Sequence, residues 1–258
     1  MSGYEIHAVR YGALRSSRSE LFYRYASYGE PDAEAEMAYY FWVLRRGGET
    51  VLVDTGFDPL VGARRGRTCI VEPVAALHGL GLEPEAVSTV VVTHFHYDHI
   101  GNLAAFPRAR LIVPRAELDF WTGPIARRFQ FGSHVEEDEI AHVRRAADER
   151  RVRTTSGTDE ILDGITAIDV GGHSPGQQIL VVESEGGRVV LASDAVHFYE
   201  ELELQRPFAV LHDLERMYAA YDFLDELSGS GAAIVPGHDP DVARRHGDAS
   251  NPTVFRIG

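Results

Sequence analysis

The chain has 258 residues, 44% of them hydrophobic and 25% charged, which is ordinary globular composition and enough for one large domain or two small ones. Its formal net charge of −14 argues against a nucleic-acid backbone or an anionic membrane as the main partner, since both favour a basic face. The lone cysteine, Cys69, excludes an intramolecular disulfide. The opening MSGYEIHAVRYG lacks the regions of a signal peptide and no apolar run approaches the roughly 18 residues that span a bilayer, so a soluble cytoplasmic protein is expected.

Residues 4–10 alternate as a first strand. Residues 11–37 show no clear period and read as loop, with Phe22, Tyr23 and Tyr25 expected to pack it down rather than line a pocket. Residues 38–44 and 50–53 are apolar runs joined through Gly47-Gly48, a hairpin signal. The second run ends in Asp54-Thr55-Gly56; an acid there bonds turn amides or orients a ligand histidine, and the two roles are compatible. Residues 71–78 read as a short helix with Pro73 in its first turn and Gly79-Leu80-Gly81 as its stop. The β-branched residues 88–93 are expected to form a buried strand, as are residues 110–113. Glu117 opens a helical or irregular stretch. Residues 133–151 predict a helix in which Ser133 and Glu136 make a capping box, acids lead and arginines trail. Three strands follow at 165–170, 178–183 and 188–192, the last two joined through Gly186-Gly187; then come an amphipathic helix over 211–227 and a core strand over 232–235. This order suggests an α/β fold with sheet packed on sheet and helices outside.

The stretch THFHYDHIGN, residues 93–102, places four metal-capable side chains, His94, His96, Asp98 and His99, within six positions. In extended backbone His94 and His96 point the same way, and the following turn aims Asp98 and His99 at a neighbouring point. Neutral imidazole and carboxylate are what zinc takes in catalytic sites. Three more such residues sit where a predicted strand gives way to a turn: His173, Asp194 and His238. Strand-end loops at one edge of a core converge on one site. Residues 172–176 also match G-x-S-x-G, but Pro175 follows Ser174 and has no N–H for an oxyanion hole, and the turn leads into a strand rather than a helix.

The H-x-H-x-D-H motif with the later His173, Asp194 and His238, and the upstream Asp54-Thr-Gly turn, resembles the metallo-β-lactamase superfamily. The resemblance implies a four-layer αββα sandwich, one domain over residues 1–258, with two metals at one edge of the sheets. It implies that His94, His96 and His173 hold the first ion, that Asp98, His99 and His238 hold the second, and that Asp194 bridges them. Cys69 is not placed to be a ligand. Within the superfamily the chain most resembles N-acyl homoserine lactonases, which implies a small-molecule lactone or ester substrate and attack by a hydroxide shared between the ions. It implies no nucleic-acid or membrane partner and a monomer or homodimer. Two Zn2+ are expected, while manganese, iron or cobalt would also suit an N/O ligand set. Those lactonases carry a catalytic tyrosine three positions after the bridging aspartate; here that position is His197, and the nearest tyrosine is Tyr199. Asp98, with His197 or Tyr199, is therefore the expected proton-transfer set. Phe95, Tyr97, Phe198 and Tyr199 are candidates for an acyl pocket, although Phe95 and Tyr97 also suit packing beneath the metal loop. The same resemblance leaves a thioester or amide hydrolase of the glyoxalase II kind, or an iron-dependent oxidoreductase, as alternatives.

Overall fold

A computed structural model describes residues 3–247 and 251–257. Its larger sheet contains β1 (Glu5–Ser17), β2 (Glu34–Arg46), β3 (Glu49–Val53), β4 (Thr68–Cys69), β5 (Thr89–Val91), β6 (Arg110–Pro114) and β7 (Val152–Thr155). The smaller contains β8 (Thr158–Leu162), β9 (Ile165–Asp169), β10 (Gln178–Ser184), β11 (Gly187–Ser193) and β12 (Ala233–Pro236). The final strand β13 (Val254–Ile257) returns to the larger sheet, whose order is β13-β1-β2-β3-β5-β6-β7 with β4 on β1; the smaller runs β12-β11-β10-β9-β8.

Alternation along β2 shows why the fold is layered. Tyr39, Phe41 and Val43 face one hydrophobic cluster, while Ala38, Tyr40, Trp42 and Leu44 face another. A strand buried on both faces must lie inside the stack. The first cluster packs the larger sheet against the helices Pro73–Gly79 and Glu137–Asp148 through Leu77, Ile140 and Val143. The second joins the two sheets, with Leu180, Leu191 and Val235 meeting Trp42 and Val53. A third packs the smaller sheet against the helix Leu214–Gly229 through Met217, Tyr221 and Leu224. Three apolar layers between four structural ones give the αββα sandwich. Burying one such aliphatic or aromatic side chain contributes about 1.5–3 kcal/mol. Among the described residues no helix is long and apolar enough to cross a membrane.

The Gly47-Gly48 hairpin is present, with Arg46 paired to Glu49 and Gly47 at φ 57°. Residues 11–37 are not one loop. β1 continues to Ser17 and pairs with β2 out to Ser17↔Glu34, after a register shift between Arg10 and Gly12. Phe22 and Tyr25 are buried in the first cluster, so packing is their role. The capping box at Ser133 does not form. The helix begins at Glu137, its N-cap is Glu136 without a side-chain cap, and the Glu136 carboxylate instead receives Arg64 and Arg65 at 2.9 and 2.7 Å.

One group in that helix carries a pH signature. Burial, then the charges of Glu136 and Asp98, pushes the Glu139 carboxyl up to about 8. The folded state therefore keeps a proton that the unfolded chain releases near its ordinary value, and stability falls as pH rises through that interval. Glu139→Gln should raise stability by roughly 1–3 kcal/mol at pH 9 and change it little at pH 4. Urea midpoints at both pH values test this, and an equal shift at the two would refute it.

Candidate metal centre

Strands β3 and β5 are parallel, as are β11 and β12, and β9 runs with β11 because both are antiparallel to β10. Their C-terminal ends therefore deliver Asp54, the loop after β5, His173, Asp194 and His238 to one edge of the two sheets.

The seven side chains singled out in the sequence meet there in two groups. His94, His96, His173 and Asp194 form one and Asp98, His99 and His238 the other, each with its ligand-type atoms within 4.8 Å of one another. Asp194 divides its oxygens between them. Oδ2 lies 3.2 Å from His173 Nε2 and 3.8 Å from His94 Nε2; Oδ1 lies 3.3 Å from His99 Nε2 and 3.0 Å from His238 Nε2.

The imidazoles are held from behind. Nδ1 of His238 donates to the Ala38 carbonyl at 2.8 Å and Nδ1 of His173 to the Val210 carbonyl at 2.9 Å, since a carbonyl only accepts. His99 Nδ1 meets Asp54 Oδ2 at 2.8 Å. Such contacts fix the ring and leave Nε2 as the inward lone pair. The buried Nε2 atoms of His94, His99 and His238 make no hydrogen bond; where Nδ1 carries the ring proton, Nε2 faces the nearby Asp194 oxygens as a lone pair without a donor. Orphaned buried nitrogens are costly unless something binds them. Their convergence with two carboxylates fits divalent ions in both groups.

The electrostatics agree. Burial, then neighbouring imidazoles, holds His94 and His96 well below the ordinary histidine value; burial does the same for His173. These three stay neutral, the form that binds metal. Burial alone would lower His99, but the carboxylates of Asp194, Asp54 and Asp98 outweigh it and raise its pKa.

Asp54 takes the histidine-orienting role that its sequence position allowed, while most of the other groups that build this site were not apparent in the sequence. Asp54 is fully buried at φ 62° and accepts from Thr93 N and Thr93 Oγ1 at 2.8 and 2.7 Å as well as facing His99. It thus anchors the neighbouring strand end rather than its own turn. Ser193 is held at φ 47° just before Asp194, a second strained position feeding the site. Gly237 has no room for a side chain, because a Cβ would lie 2.7 Å from Ser193 O and 2.9 Å from Asp194 Oδ1. Tyr11 donates its hydroxyl to the Asp98 carbonyl at 2.8 Å. Glu117 accepts from Phe95 N, Trp121 Nε1 and Gly176 N. The His134 ring lies 5.2 Å from that of His96. Helical acids, a strand tyrosine and a lone histidine carry no spacing that marks them.

Above the cluster is a cavity of about 290 Å3 whose wall includes His96, Asp98, His134, His173 and Asp194. Asp98 is on that wall. His197 reaches the cluster from behind: it is fully buried, Nε2 is 3.1 Å from Asp194 Oδ2, Nδ1 is 3.3 Å from Glu201 Oε1, and Phe208 stacks on its ring at 3.8 Å. Burial would lower its pKa, but Asp194 and Glu201 hold it up at about 9. Tyr199 is not brought to the cluster. Its ring lies under the Arg245 guanidinium at 3.6 Å and lines a separate cavity beside Asp239 and Glu200. Its place one residue into the helix Tyr199–Leu204 turns it away. Of the four aromatics expected near the substrate, Tyr97 lines the cavity, Phe95 is fully buried beneath the loop, and Phe198 packs on Phe22 at 5.6 Å.

The profile of the Metallo-beta-lactamase superfamily matches residues 36–238. An N-acyl homoserine lactonase of a Bacillus species is 30% identical over 66% of this chain and 63% of its own length. The AiiA lactonase of Bacillus thuringiensis subsp. kurstaki is 30% identical over 64% and 61%, so the chain spans about three-fifths of these relatives. In three dimensions it resembles an N-acyl homoserine lactone hydrolase solved with N-hexanoyl-L-homoserine at its catalytic metal center, with TM-score 0.78 and 23% identity over 95% of this chain and 97% of that one. It also resembles AidC, a dizinc quorum-quenching lactonase, with TM-score 0.74 and 17% identity over 93% and 89%. At these identities the structures establish the shared fold.

Proposed function

The chain belongs to the metallo-β-lactamase superfamily, and we propose that it is a dinuclear metal-dependent hydrolase that opens a lactone, an N-acyl homoserine lactone or a related cyclic ester. The observation that carries this reading is the split of Asp194 between two ligand groups beneath one cavity. The 30% identical lactonases support the substrate class.

In this reading His94, His96 and His173 would hold one ion, Asp98, His99 and His238 would hold the other, and Asp194 would serve both. Zinc suits these nitrogen and oxygen donors; manganese, iron and cobalt accept them too. When bound, the ions supply a polarising charge for an ester carbonyl and lower the pKa of water to about 7. The chain's own groups do the rest. Asp98 is the carboxylate placed on the cavity wall to take a proton. His197, gripped by Glu201, braces Asp194 rather than touching substrate. Leu21, Met37, Phe208 and Val210 exclude water from the cavity and seat the apolar part of the acyl group. A cytoplasmic small-molecule enzyme, monomeric or homodimeric, completes the proposal.

The test is ring-opening of acyl homoserine lactones and plain γ- and δ-lactones, followed by proton release on fully metallated protein. Turnover that discriminates by acyl length and stops on chelation is expected. No turnover of any lactone with two ions bound per chain would overturn the reading.

A further inference from the structure

The cavity that His96, Asp98, His173 and Asp194 line also carries two arginines, Arg67 and Arg15, in a chain whose acids outnumber its lysines and arginines 39 to 25. Among the described residues Arg67 pairs with no carboxylate. Its Nε donates to Tyr97 Oη at 2.8 Å and Tyr39 Oη at 3.2 Å, and Nη1 donates to the Arg65 carbonyl. These partners are neutral, so they aim the guanidinium without cancelling its charge, and Nη2 is left over. Arg15 stands exposed at the rim with no hydrogen-bond or ion-pair partner among the described residues. Glu20 shares that wall, but it is exposed and already accepts from Ser16 Oγ at 2.6 Å.

The two tyrosines tie Arg67 to the metal loops. Tyr97 lies between His96 and Asp98 in the chain, and the Tyr39 ring packs edge-on to His238 at 5.0 Å. The guanidinium is therefore fixed relative to the cluster, as a specificity contact must be. A site holding two divalent ions against two carboxylates is also positive on balance, and so attracts anions.

We propose that the substrate carries a carboxylate on its acyl portion and that Arg67, with Arg15 at the rim, binds it. A planar guanidinium with a free edge is suited to a carboxylate. This deepens the lactone reading and depends on it for the reaction, though not for the binding.

The experiment compares N-hexanoyl- and N-adipoyl-homoserine lactone, equal in chain length but differing by a terminal carboxylate. The metallated protein should prefer the adipoyl compound by at least about tenfold in kcat/KM, mainly through KM, and added salt should shrink the preference. Arg67→Gln should bring the ratio close to one. Arg15→Gln, at an exposed position with no partner to lose, should lower it about threefold. Calorimetry with the two ring-opened acids reads binding without turnover. A wild-type protein with no preference, or an Arg67→Gln variant that loses equally on both compounds, overturns the proposal. If neither lactone opens but the adipoyl acid binds about tenfold tighter and only with Arg67 present, the carboxylate site stands and the lactonase reading falls.

Discussion

Replacing Asp194 with alanine is expected to lower kcat/KM for lactone opening by at least about a thousandfold, roughly 4 kcal/mol of transition-state stabilisation. It should also reduce bound metal from two ions per chain to one or none. The reason is geometric. Asp194 alone sends an oxygen into each ligand group, Oδ2 toward His173 and Oδ1 toward His99 and His238. Without it the first group keeps three neutral imidazoles and the second has one carboxylate, Asp98, for its divalent charge. Asp194→Asn should fare little better, since an amide N–H would point at a lone pair on one side. Metal analysis and thermal unfolding check this apart from activity. Chelation should lower the wild-type Tm, because ions that bind the folded state stabilise it by mass action, and should lower the alanine variant's Tm by less. An alanine variant that retains two ions would refute the bridging role.

The candidate ligands that the fold gathers were legible in the sequence because each lies in a short motif at the end of an apolar run: THFHYDH after the strand containing Val90 and Val91, Pro-Gly-His after Val235. Such signals are local, so chain order suffices to read them. What the sequence hid is set by contacts distant in the chain. The stretch 11–17 is strand because it pairs with residues 34–39 twenty or so positions away, and its half-buried and exposed polar residues, Arg15, Ser16 and Ser17, break the alternation. Ser133 looked like a cap by spacing, yet Arg64 and Arg65 claim Glu136 from about seventy residues earlier. Tyr199 was the nearest tyrosine along the chain but not in space, because the helix that begins there turns it toward Arg245. Glu201 and Glu117 look in sequence like any solvated helical acid, and only the folded chain shows both fully buried.

Glu117 is where that hidden layer has its largest expected effect on stability. It lies in the helix Arg115–Trp121, far from any ligand in sequence. Its Oε2 accepts from Phe95 N and Trp121 Nε1, both at 2.8 Å, and its Oε1 accepts from Gly176 N at 2.6 Å. Phe95 separates His94 from His96, and Gly176 closes the turn that carries His173. One carboxylate thus ties together the two loops that supply the three histidines of the first group. Burial pushes its pKa up, while the two backbone N–H groups and the indole oppose that by favouring the charged form. Glu117→Ala would leave three buried donors unpaired, each worth about 1–3 kcal/mol, and should destabilise the protein by roughly 3–5 kcal/mol. Glu117→Gln keeps the shape but turns one acceptor into a donor facing a donor, so about half that loss is expected. Both variants should weaken binding of the ion proposed for His94, His96 and His173 by about 10–100-fold, the usual cost of losing the groups that orient ligands. Urea unfolding of the metal-free protein separates the two effects, because the loop clamp acts there without ions. If the alanine variant unfolds at the wild-type urea concentration, Glu117 does not join the loops, and the alignment of the first three histidines must come from their own backbone contacts.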